Sequence, residues 1–145
     1  MTNLSMFMAY AAAFEQTYAD DNWQRLEPFF AEDATYEVSG LPGACVLRGR
    51  DQIFRGIKKS LDGFDRRMTS RQIVPTAPPA ETDNRVTLQG LVRYVRAGAP
   101  VEMNATIVVE FADGKISHMH DTFALDSAAV AWLQHNAQDL DGSYL

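Results

Sequence analysis

Few residues in this chain have the type and placement to do chemistry. Asp121 lies inside the run Lys115–Leu125, where Met119, Asp121, Phe123 and Leu125 fall on one side of a period-two pattern. A carboxylate set among apolar neighbours loses hydration, which penalises its charged form and raises its pKa. Such a group suits general acid or base work near neutrality. A structural acid hydrogen-bonded to a Tyr or Trp, or one exposed at a strand end, fits the same pattern. Tyr36 and Tyr94 are the nearest hydroxyl donors for it, since Tyr94 shares a strand face with Leu88 and Val92. On the other side of the run, His118 and His120 have a spacing that can ligate a metal, with Glu102 or Glu110 as a third ligand from the adjacent strand. The favoured reading is a partly exposed or interface pair, with no metal and no cofactor. Cys45 is the one cysteine, and its neighbours Ala44 and Val46 offer no base to activate it.

Elements must hold these residues in place. Leu4, Phe7, Ala11, Phe14 and Tyr18 recur at helical spacing. Asp21 with Gln24 resembles a capping box opening a short second helix, with Trp23, Leu26 and Phe30 inward and Pro28 distorting its end. Ala34–Val38 reads as a strand, and Ser39–Gly49, with Gly40, Pro42, Gly43 and Gly49, as a loop. Arg50–Phe64 reads as a third helix on Ile53, Ile57, Leu61 and Phe64, with Arg55, Lys58 and Lys59 on a solvated side. Strands are expected over Arg66–Val74, Arg85–Arg96, Pro100–Phe111 and Lys115–Leu125, with a loop at Pro75–Asn84. Asp126 or Ser127 caps a last helix running to about Ala137, with Val130 and Leu133 inward, and Asp139–Leu145 reads as a polar tail.

The last hairpin decides which residues face Asp121. A two-residue Asp113-Gly114 loop pairs Phe111 with Ile116 and sets Thr106 opposite Asp121. A three-residue loop starting at Ala112 pairs Phe111 with Lys115 and sets Ala105 there instead. A one-residue slip inverts a whole face. The three-residue loop is favoured because it gathers Met103, Ala105, Ile107 and Val109 with Met119, Phe123 and Leu125.

Composition sets the outer limits. A chain of 145 residues fits one domain over 1–145, with room for a core and a cavity. Hydrophobic residues at 46% and charged residues at 22% exclude general disorder. A net charge of −6, with no basic stretch, argues against nucleic acid and against anionic membrane surfaces. A lone cysteine excludes an internal disulfide and fits a reducing cytoplasm. Met1–Tyr18 has no basic start and is broken by Glu15 and Gln16, so it reads as neither signal peptide nor membrane span. The order of elements predicts an α+β fold in which helices cover one face of a curved sheet.

Several segments resemble the nuclear transport factor 2-like superfamily. They are Trp23–Leu26, Phe30–Tyr36, Arg48–Ile53, and Asp113–Ile116 followed by Asp121 and Phe123. The resemblance runs from Phe14 to Leu133. It implies a cone-shaped α+β barrel, three N-terminal helices packed on a strongly curved, mainly antiparallel sheet, with a pocket at the open end. Among its enzymes, the ketosteroid isomerase pattern fails, since its base falls on Val38, its oxyanion-site acid near Ile107 and its tyrosine on Phe14. The limonene epoxide hydrolase pattern keeps its last-strand acid at Asp121, with Phe123 and Leu125, but Arg85–Arg96 has no Asp for its Arg-x-Asp pair. The His and Tyr partners of the scytalone dehydratases are not evident, because His118 and His120 are expected on the opposite face. SnoaL-like polyketide cyclases look similar, and their acid at the Asp121 position implies acid/base work in an intramolecular aldol closure.

The resemblance thus implies Asp121 as the catalytic residue. Tyr36, Tyr94, Phe14, Trp23, Val38, Met103, Ile107, Met119 and Phe123 would line the site for a small hydrophobic molecule. It also implies a homodimer through the outer sheet face, with His118, His120, Arg93 and Thr106 at the contact. Two functions stay open: an acid/base enzyme of cyclase, isomerase or hydrolase type, or a non-catalytic binding module with the same pocket.

Overall fold

The structure, a computed structural model, describes residues 2–42 and 44–145. Gly43, expected in the loop after the first strand, lies outside the described residues.

The first helix, α1, spans Asn3–Asp20, capped by the Thr2 hydroxyl accepting from the Ser5 amide at 3.0 Å. Its buried residues are Phe7, Tyr10 and Thr17. Leu4, Ala11, Phe14 and Tyr18 are only partly covered, because they border a cavity or the helix rim. The expected capping box does not form. Asp21 is instead the left-handed C-cap of α1, and its carboxylate accepts from Trp23 Nε1 and Arg66. The second helix is a 3₁₀ segment, Trp23–Phe29, with Pro28 inside it. Proline removes an amide donor and favours the short, tight form.

The first strand, β1 (Phe30–Ser39), is longer than expected. Its partner β2 (Cys45–Arg48) lies in the segment expected to be loop. Alternation over four residues was too short to signal it. The third helix, α2, spans Arg50–Gly63 and buries Ile53, Phe54, Ile57 and Leu61. A 3₁₀ turn at Asp65–Arg67 then replaces the start of the expected third-segment strand, and β3 covers Ser70–Pro75. The short β4 (Ala80–Thr82) precedes β5 (Arg85–Arg96), β6 (Ala99–Ala112) and β7 (Lys115–Ala124).

The strand order is β2-β1-β7-β6-β5-β3, with β4 beside β5. All pairs are antiparallel except β1 with β7, which run parallel. The fold is α+β, with N-terminal helices against a curved, open, mostly antiparallel sheet.

The favoured three-residue loop does not form; the last hairpin takes the two-residue alternative and pairs Phe111 with Ile116. Its turn is the two-residue Asp113-Gly114, with φ of 52° and 74°, and Ala112 pairs with Lys115. Two positive φ values match the twist of the flanking strands. A bulge at Ser117 then shifts the register, so that Glu110 meets His118 and Ile107, not Ala105, meets Asp121. The bulge restores the face that a longer loop would have produced. Met103, Ala105, Ile107 and Val109 share it with Met119, Asp121 and Phe123.

The last helix, α3 (Ser127–Asn136), is capped by Asp126 accepting from the Ala129 amide at 2.8 Å. It buries Ala129 and Trp132, while Val130 is exposed, so the inward face is turned by one residue from expectation. The tail is not free. Gly56, Ser60 and Gly63 make a groove along α2, and Ser60 Oγ donates to the Gly142 carbonyl at 2.7 Å. A Cβ at Gly63 would lie 1.8 Å from the Asp141 carbonyl oxygen, so only glycine lets the tail approach this closely.

Candidate functional site

Two apolar clusters leave a cavity of about 530 Å³ between them, within the usual range for small-molecule sites. One cluster contributes Phe7, Tyr10, Ile57, Leu61 and Met119, and the other Val92, Tyr94 and Met103. Of the residues expected at the site, Asp121, Tyr36, Tyr94, Phe14, Met103, Ile107, Met119 and Phe123 line this cavity. Trp23 and Val38 do not. Val38 is packed into the core with 2% exposure. Trp23 stacks between Phe14 and Phe54 and ties its ring nitrogen to Asp21, which turns it away from the cavity.

The cavity has two polar poles. At the first, β1 and β7 place Val38 beside Asp121, and two residues earlier Tyr36 lies beside Met119. Tyr36 Oη donates to Asp121 Oδ2 at 2.5 Å. The other oxygen, Oδ1, is sealed from solvent and bonds no protein group. Burial raises the Asp121 pKa to about 6, even though the Tyr36 hydroxyl and nearby His120 both favour the charged form. Burial, with the adjacent carboxylate, also holds the Tyr36 phenol well above its ordinary value. Tyr144, from the docked tail, packs edge-on against Tyr36 with ring centres 5.8 Å apart. Burial pushes its phenol up to about 12.

At the second pole, Asp65 Oδ2 accepts from Tyr94 Oη at 2.8 Å and from Arg71 Nε at 3.1 Å. Tyr94 therefore serves Asp65, not Asp121. Arg71 also bonds Glu15 and stacks over the Tyr18 ring at 4.7 Å. Burial raises the Asp65 pKa against the pull of Arg71 and Tyr94. The sequence reading missed Asp65, Arg71, Glu15 and Tyr144. The small residues Gly56, Ser60 and Gly63 on α2 were the available signal for the tail. Asp65 carried none, being one charge among Asp62, Asp65, Arg66 and Arg67.

The SnoaL-like domain family matches residues 10–119, and the chain belongs to that family. No curated protein matches the chain. Among solved structures, an NTF2-like protein from Anabaena variabilis superposes with a TM-score of 0.69 at 18% identity, covering 87% of this chain and 96% of the other. A protein described as a SnoaL-like polyketide cyclase from Jannaschia superposes with a TM-score of 0.66 at 16% identity, covering 90% and 89%. TerC, co-crystallised with polyporic acid, gives 0.63 at 18% identity, covering 90% and 96%. At these identities the likeness establishes the fold, and the chemistry must be argued from the site. Among the described residues, no helix is long and apolar enough to cross a membrane.

Proposed function

We propose that the cavity binds a small, largely apolar molecule carrying a carbonyl or ring oxygen, and that Asp121 moves a proton on it. The observation that carries this reading is Asp121 Oδ1, an unpartnered buried oxygen on a carboxyl that lines the cavity. A buried polar atom without a partner costs about 1–3 kcal/mol, so a fold that keeps one has a use for it. With a pKa of about 6, Asp121 is divided between both protonation states near neutral pH. Ionised, the Asp121 carboxylate removes a proton from a carbon beside a carbonyl, and the electron pair moves onto the carbonyl oxygen. Protonated, the carboxyl returns that proton to carbon or oxygen. Tyr36 stays bonded to Oδ2 throughout, fixing the carboxyl and easing its charged state.

The family membership and the fold of the cyclase-like neighbours support a reaction of cyclase, isomerase or hydrolase type. That TerC, with the same fold, was crystallised with polyporic acid supports polyporic acid as one of the first probes to try. One observation favours the non-catalytic reading. The cation lining the cavity, Arg71, is already held by Asp65 and Glu15, so it is not free to stabilise an oxyanion. The resemblance further supports a homodimer through the outer sheet face, which sedimentation would test.

The deciding experiment follows deuterium exchange beside the carbonyl of aromatic ketone probes by proton NMR. An acid/base role predicts that Asp121→Asn slows enzyme-promoted exchange by ~10²-fold or more. Binding of the same probes with no exchange above buffer leaves the binding module.

A further inference from the structure

On the sheet face opposite the cavity, three side chains converge. The parallel pairing of β1 with β7 sets Thr35 beside His118 and Glu37 beside His120. His118 Nε2 and His120 Nδ1 both lie 3.7 Å from Glu37 Oε2. That is too long for a hydrogen bond. The three ligand atoms lie within 4.8 Å of one another. The far side of each ring is occupied. Thr35 Oγ1 lies 2.5 Å from His118 Nδ1, and Ser39 Oγ lies 2.8 Å from His120 Nε2.

We propose that Glu37, His118 and His120 form a binding site for a divalent first-row transition cation, of which zinc is the working probe. Two imidazoles and one carboxylate are a donor set that such ions take. Ligand atoms around a tetrahedral ion at bond lengths of about 2.0–2.1 Å stand about 3.4 Å apart. The two 3.7 Å histidine–carboxylate separations therefore need to close by only a few tenths of an ångström, while the two histidine nitrogens, within 4.8 Å of each other, have up to about 1.4 Å to close. The two hydroxyls do what outer partners of metal-bound histidines do. With the far ring nitrogen protonated, each hydroxyl accepts from it, and in that tautomer the near nitrogen's lone pair is free to take the ion. In the single chain the side chains are about a third exposed, 31% for each histidine and 37% for Glu37, so water can complete the coordination there.

The carboxylates expected as third ligand are engaged elsewhere. Glu110 accepts from Arg85 at 2.8 Å and Glu102 from Arg93 at 2.5 Å. Glu37 takes the place because β1, far away in sequence, is the neighbour of β7. The ion would clip the first strand to the last. This site lies on the opposite sheet face from the cavity that Asp121 lines.

The test is zinc titration of the full chain in chelator-treated buffer, followed by histidine ring shifts in two-dimensional NMR. One equivalent per chain should bind, moving the His118 and His120 ring signals and leaving His135 unmoved. Cobalt(II) should give visible bands of nitrogen/oxygen ligation. Glu37→Gln should weaken binding by tenfold or more, and His118→Ala with His120→Ala should abolish it. Thr35→Val should weaken it by ~10-fold through ring orientation. Cys45→Ser should leave it unchanged. No saturable uptake by the unmodified protein, shifts centred on His135, or equal uptake by the double histidine variant would overturn the proposal. The unmodified protein's own ring shifts decide the matter even where a variant folds poorly.

Discussion

Asp121 and Asp65 line one cavity, and burial raises the pKa of both, yet their surroundings differ in kind. Asp65 is bonded by a cation and a phenol, and its cation is bonded again by Glu15. Asp121 has one phenol on one oxygen and nothing on the other. A carboxylate with its charge matched holds structure together, because breaking the set strands a buried charge. One with an unmet oxygen is uncomfortable in the fold. On the proposed reading, the difference lies in unmet bonds and not in burial, which the two acids share.

Substitution at the two positions should separate these roles. The largest expected effect is on proton transfer, where Asp121→Asn lowers probe exchange by ~10²-fold or more and Asp65→Asn leaves it within a few-fold. Equal losses at both sites would erase the distinction. Next comes stability, read by chemical denaturation at pH 7. Arg71→Met should cost about 3 kcal/mol, because it leaves the buried Asp65 carboxyl without its cation.

Asp121→Asn should act in the opposite sense. The folded pKa of Asp121 is raised to about 6, so the unfolded chain ionises first as pH rises. The stability conferred by the protonated form is complete below about pH 4 and declines up to about pH 6. The uncharged amide avoids that loss. Asp121→Asn should therefore be up to about 3 kcal/mol more stable than the parent at pH 7 and nearly equal to it at pH 4. A variant less stable at both values would contradict the sign.

The smallest effect belongs to Tyr36→Phe. Removing its hydroxyl takes away a donor that favours the carboxylate, so the Asp121 midpoint should move upward. The rate at pH 7 should fall by about tenfold. A downward shift would mean that Tyr36 favours the protonated acid.

The sequence exposed one pole of the cavity and hid the other. Asp121 was legible because alternation along β7 sets it among Met119 and Phe123, and that pattern survives an error in the turn. The chosen loop was wrong, yet the bulge at Ser117 recovered the same face, since burial governs parity more firmly than it governs the partner. Asp65 was illegible because a 3₁₀ turn has no periodicity, and its burial comes from Arg71 and Tyr94 on strands distant in sequence. Tyr144 was hidden for a similar reason. A polar tail looks free until Gly56, Ser60 and Gly63 are seen as a groove. The Glu37 contribution to the outer cluster depends on β1 lying parallel to β7, which local patterns do not encode.

The central claim is that Asp121 is a buried carboxyl poised to exchange a proton. Its most direct test is a carbon-13 NMR titration of the Asp121 carboxyl in the unmodified protein. The expected midpoint is about 6, and a midpoint at or below the ordinary aspartate value of ~3.9 would contradict the account.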